Sequence, residues 1–155
     1  MTNLKKGDKA PDFSGLNQDN SEIKLSNFSG KNLILYFYPK DFTSGCTVEA
    51  ENLSENFDYW IEKNFTIIGV SPDSADSHCK FREKHKLPFD LIADTDLKIA
   101  NAYGVYGPKK MYGREYMGIY RTTFVIDENG IIAEVITDVK TKDHSNQLIK
   151  VLNLN

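Results

Sequence analysis

Apolar positions along the chain follow two patterns that take turns: short stretches apolar at nearly every position, and longer stretches apolar at helical spacing. Residues 33–38, Leu-Ile-Leu-Tyr-Phe-Tyr, are of the first kind. They predict a central strand buried on both faces, which Pro39 stops. Leu53, Phe57, Trp60 and Ile61 stand at i, i+4, i+7 and i+8, so a helix with that face buried is expected from Ser44 or Cys46 to Lys63. Thr43 and Ser44 supply N-cap side chains. Residues 65–70 predict a second buried strand. Ser71-Pro72-Asp73-Ser74 opens a second helix that ends before Pro88. Residues 90–93 read as a short strand, and residues 96–103 as a short helix closed by Gly104.

Toward the N-terminus, residues 5–11 read as an irregular lead-in. Residues 13–25 carry a weak hairpin pattern with Asn17, Gln18, Asp19 and Asn20 at its turn. Residues 106–120 are rich in Gly and Tyr and read as a long loop. Residues 122–127 and 131–137 are two strands joined through Asn129-Gly130, a strong hairpin signal. Residues 143–152 close the chain as an amphipathic helix. Strands alternating with helices imply an α/β fold with right-handed crossovers. The expected architecture is thioredoxin-like: a central mixed sheet flanked by helices, with an N-terminal hairpin extension. No repeat or linker divides it, so residues 1–155 read as a single domain.

Composition narrows the function without choosing it. The chain has 155 residues, 40% hydrophobic and 12% aromatic, which is globular rather than disordered. A net charge of −3 argues against nucleic-acid binding and against a polybasic membrane-surface protein. The longest apolar run is too short to span a bilayer. No apolar stretch follows Lys5-Lys6, so no secretory signal is expected and the location is read as cytoplasmic. Two cysteines, Cys46 and Cys79, are too few for a disulfide scaffold or a Cys-rich zinc site.

The informative segment is Pro39-Lys40-Asp41-Phe42-Thr43-Ser44-Gly45-Cys46-Thr47-Val48-Glu49-Ala50. It lies just past the carboxyl end of a buried strand, where open α/β sheets place ligand sites. Cys46 falls in the first turn of a helix, where unpaired N–H groups and the helix dipole favour an anion. In such settings a cysteine pKa falls from about 8.5 to roughly 3.5–7.5. The Thr43 hydroxyl can exchange hydrogen bonds with a group at the sulfur, and Gly45 lets backbone approach a small ligand. Taken alone, Cys46 could equally be a small buried hydrophobe.

Pro39, Thr43 and Cys46 reproduce the Pro-x-x-x-Thr-x-x-Cys signature of peroxiredoxins. The wider run from Tyr36 through Ala50 resembles the Q-type, or bacterioferritin-comigratory, branch. So do Gly7-Asp8-Lys9-Ala10-Pro11-Asp12-Phe13, Met111-Tyr112-Gly113-Arg114 and the run from Gly118 to Asp127. The resemblance covers nearly the whole chain. It implies a thiol peroxidase without a cofactor or metal, acting on hydrogen peroxide and organic hydroperoxides. Cys46 would be the peroxidatic cysteine, Thr43 and Arg121 would complete the peroxide site, and Pro39 would shield the thiolate. Glu49 has two readings: it orients an arginine, or it is an ordinary first-turn acid.

Many Q-type members carry a second cysteine where this chain has Glu51; others place it on the second helix, where Cys79 stands. Cys79 points away from Phe81, so it is expected to face solvent. The resemblance implies that Cys79 resolves the Cys46 sulfenic acid, that the resulting disulfide is reduced by a thioredoxin-like protein, and that the chain is a monomer or weak dimer. Disulfide geometry needs Cα atoms within about 4.4–6.8 Å, so unwinding of the first turn around Cys46 is expected. A one-cysteine enzyme using an external thiol and a non-enzymatic peroxide sensor remain as rivals. A thioredoxin-like reductase does not fit, because Glu49 occupies the second Cys of Cys-x-x-Cys. His78, Cys79 and His85 do not assemble a metal site on one helix face, since Cys79 points away from the two histidines.

Overall fold

A computed structural model describes residues 2–154. The chain begins with a hairpin of β1 (Ser14–Asn17) and β2 (Glu22–Lys24), then enters β3 (Asn32–Phe37), α1 (Ser44–Glu55) and α2 (Phe57–Glu62). Next come β4 (Phe65–Ser71), α3 (Ala75–His85), β5 (Asp90–Ala93) and α4 (Lys98–Ala102). The chain closes with β6 (Tyr106–Met111), β7 (Arg114–Ile119), β8 (Thr122–Ile126), β9 (Ile132–Ile136) and α5 (His144–Val151). Seven strands form one mixed sheet in the order β2-β1-β5-β4-β3-β8-β9. The thioredoxin-like expectation holds, and the N-terminal hairpin joins the same sheet through β1 against β5.

The unbroken apolar run of β3 is explained by a core on each side. Leu33, Leu35 and Phe37 enter one core with α4. Ile34, Tyr36 and Tyr38 enter the other with Cys46, Ala50 and Leu53 of α1, Trp60 of α2, Phe81 of α3 and Leu148 of α5. β3 runs parallel to β4 and antiparallel to β8, with Phe37 opposite Thr122. That register brings Arg121, one residue before β8, to the end of β3 where α1 begins.

Two expectations are corrected. The long helix is broken at Asn56, whose side chain donates to the Asn52 carbonyl at 2.9 Å, a local bond that competes with helix continuation. Leu53 and Trp60 are buried as expected, but after the break Ile61 is 49% exposed. Residues 106–120 are a hairpin rather than a loop. Tyr112 and Gly113 both have positive φ, 52° and 78°, as a two-residue type I′ turn requires. The ribbon is largely exposed on both faces, so it lacks the apolar alternation that marks a half-buried strand.

Candidate active site

Cys46 sits in the first turn of α1 with its side chain 1% exposed. Thr43 is the N-cap residue, but its side chain caps no helix amide. Its hydroxyl instead donates to the Lys40 carbonyl at 2.7 Å. The oxygen's lone pairs are therefore free to accept from a ligand, and the first-turn amides keep their anion-favouring character.

Arg121 spans the site with its fork. Nη2 donates to Cys46 Sγ at 3.3 Å and Nη1 to Glu49 Oε1 at 2.7 Å. Gly45 makes room for it: a Cβ there would lie 3.3 Å from Nη2. Glu49 is fully buried one turn beyond Cys46, so of its two readings the arginine-orienting one matches the geometry. Burial pushes the Glu49 carboxyl up to about 7, against the pull of Arg121. Burial also works against the Arg121 charge, but Glu49 and Cys46 outweigh it and hold the guanidinium above its usual value. A thiol, a guanidinium and a buried carboxyl in this order can hold a sulfur anion and polarise an O–O bond.

Residues 6–135 match the AhpC/TSA family. The chain belongs to that family. Peroxiredoxin Bcp of Bacillus subtilis is 46% identical over 94% of this chain and 93% of its own length. A solved PrxQ structure from Xylella fastidiosa superposes with a TM-score of 0.92 at 30% identity, covering 99% of this chain and 98% of that one. The bacterioferritin comigratory protein of Xanthomonas campestris, whose structures were described for its alkyl peroxide reduction activity, gives 0.85 at 30% identity over 91% and 90%. The chain is thus a peroxiredoxin, a thiol-dependent peroxidase.

Other features of this peroxiredoxin site were not legible in the sequence. Asp41 is buried beneath the loop before Cys46. It accepts from Tyr38 Oη at 2.6 Å and Ser77 Oγ at 2.8 Å, and lies 2.7 Å from His78 Nδ1. Its own N–H donates to Asp73 Oδ2 at 2.8 Å. The loop is thereby tied to α3. Asp41, Asp73 and His78 also bring ligand-type atoms within 4.8 Å of one another, but those atoms are already engaged in this network. Fully buried His144 lies on the far side of Glu49, its Nε2 3.7 Å from Oε2, with buried Thr123 Oγ1 2.9 Å from that nitrogen. No local motif announces Asp41 or His144: Asp41 lies between Lys40 and Phe42, and His144 between Asp143 and Ser145.

Phe42 has φ 65° and is 48% exposed, an uncommon backbone conformation for an aromatic residue, with its ring 5.1 Å from that of Phe81. Pro39 is half-buried and borders a mainly apolar cavity of about 390 Å³ with Leu97, Tyr106, Tyr116, Met117 and Ile119. Cys79 is a free thiol, half-buried on α3 rather than fully facing solvent, while His78 and Phe81 take the buried face as expected. Among the described residues no helix is long and apolar enough to cross a membrane.

Proposed function

We propose that the chain reduces hydroperoxides through Cys46. The carrying observation is the Arg121 fork, which touches the sulfur and the buried Glu49 carboxyl together. The Cys46 thiolate attacks the terminal oxygen of the hydroperoxide. The S–O bond forms as the O–O bond breaks, the peroxide hydrogen stays on the sulfenic acid, and the departing alkoxide or hydroxide takes a proton from solvent to leave as alcohol or water. Arg121 stabilises the charge passing between sulfur and oxygen. Thr43 Oγ1, its own hydrogen held by Lys40, accepts from the peroxide O–H. Pro39 covers the thiolate, and the apolar cavity beside it suits the carbon chain of an organic hydroperoxide.

Cys79 then attacks the Cys46 sulfenic acid, forming the disulfide and releasing water. A thioredoxin-like dithiol reduces that disulfide by exchange. The backbone strain at Phe42 favours opening of the loop, which this step needs. Residues 1–155 act as one cytoplasmic domain, a monomer or weak dimer, with no nucleic-acid or membrane partner. The test is turnover of hydrogen peroxide and of an organic hydroperoxide with thioredoxin. Multiple turnovers are expected, and none from Cys46→Ser protein that keeps its fold. One-equivalent consumption would instead indicate a sensor, and turnover surviving Cys46→Ser would overturn the proposal.

A further inference from the structure

Arg121 holds one oxygen of Glu49. The other, Oε2, is buried with no hydrogen-bond partner among the described residues, and His144 Nε2 lies 3.7 Å from it. The tautomer of His144 follows from its neighbours. The Gln147 amide is oriented by donating from Nε2 to the Asp138 carbonyl at 2.7 Å and accepting at Oε1 from the Lys140 N–H at 3.0 Å. That Oε1 lies 2.9 Å from His144 Nδ1, so Nδ1 carries the hydrogen. Burial, against the Gln147 bond and with the help of Arg121, holds the imidazole down at about 4, so it is neutral near pH 7. Nε2 therefore has a bare lone pair, to which the Thr123 hydroxyl donates at 2.9 Å. Glu49 Oε2 therefore faces a nitrogen without a proton.

We infer that His144 is a positioning residue for the reacting thiol: with Thr123 and Gln147 it withholds a second donor from Glu49, leaves Arg121 as the carboxylate's partner, and so governs how the guanidinium is divided between Glu49 and Cys46. This rests on the reading of Cys46 as the reacting thiol. The groups that face Glu49 are Arg121 ahead of β8, His144 on α5, Cys46 on α1 and the buried Tyr36 phenol on β3. Lys109 on β6 adds positive charge near Arg121 and Cys46. One guanidinium thus serves two groups that can each be anionic. A proton on Glu49 releases the Arg121 charge to the sulfur, whereas an ionised Glu49 competes for it.

The test uses full-length protein carrying Cys79→Ser, so that Cys46 is its one thiol, and measures iodoacetamide alkylation against pH. No peroxide is involved. Turnover surviving Cys46→Ser would end the functional reading without touching this result. His144→Gln puts an amide donor within reach of Oε2 and stabilises the carboxylate. Alkylation at about pH 6, relative to about pH 9, should fall about tenfold, the equivalent of roughly one pH unit. Thr123→Val frees Nε2 to accept from protonated Glu49, and the same ratio should rise. In a Glu49→Gln background neither substitution should move it. Should His144→Gln fail to fold, Thr123→Val decides alone. An unchanged ratio, shifts of the same sign, or shifts that persist without Glu49 would make His144 a packing residue and overturn the inference.

Discussion

Behind Cys46, the side chains of Glu49, Thr123, His144 and Tyr36 are fully buried, whereas ahead of it Phe42, Thr43 and Ser44 are exposed. The rear is held by strand and helix termini, where β8, α1 and α5 meet. The front is a loop with one buried side chain among residues 40–44, that of Asp41. The two halves meet different demands. Stabilising charge on sulfur and oxygen needs groups fixed away from water before the reaction begins. Bringing a second thiol to the sulfur needs chain that can move. The contrast can be broken from either side.

The largest expected effect comes from the rear. Arg121→Gln removes a charged donor aimed at the reacting atoms, and the peroxide step should slow by about 10²–10³. Stopped-flow rates check this, and a rate near that of the unsubstituted protein would remove Arg121 from the site. At the front, Asp41→Ala takes the shared acceptor from Tyr38, Ser77 and His78. It should cost about 3 kcal/mol of stability, or roughly 10 °C in melting temperature. A change within about 2 °C would show the loop is not anchored there.

Glu49→Gln sharpens the comparison through pH. Glu49 is raised from 4.5 to about 7, so the native state binds the extra proton and stability falls as pH rises across that window. His144 is lowered from 6.5 to about 4, so its contribution is present above 6.5 and lost as pH falls toward 4. Between 4.5 and 6.5 the two oppose each other. Glu49→Gln should therefore gain stability relative to the unsubstituted protein as pH rises from 4.5 to 7, with a plateau above. Denaturant titrations at a series of pH values check this, and a pH-independent difference would contradict it.

The smallest expected effect divides stability from activity. Gly45 lies within α1 at ordinary helical φ, so Gly45→Ala should stabilise the protein by about 0.5–1 kcal/mol. The added Cβ, at 3.3 Å from Arg121 Nη2, should nonetheless slow the peroxide step severalfold. Melting and rate measurements on one preparation check both signs.

The parts legible in the sequence were those written in local pattern. The β3 run alternates between two cores, so its composition alone announced a central strand. Cys46, Thr43 and Gly45 lie close in sequence, and their spacing placed the thiol at a helix start. Arg121 was reached only through resemblance, because its contact with Cys46 depends on how β8 registers against β3. Asp41, His78, Thr123 and His144 act through contacts across the fold and leave no local trace. The β6–β7 ribbon was missed for the opposite reason: it buries too little to carry a pattern.

The reaction itself can be followed atom by atom. Protein with both cysteines reduced is treated with one equivalent of peroxide and digested with trypsin, which cuts after Lys40, Lys63 and Lys80 and separates the two thiols. Mass spectrometry of protein that runs as a monomer without reductant should show the Cys46 and Cys79 peptides joined, and a sulfenic-acid trap should label Cys46 first. Cys46 left as a free thiol while peroxide is consumed, or Cys79 trapped in its place, would contradict the reading of Cys46 as the atom that meets the peroxide.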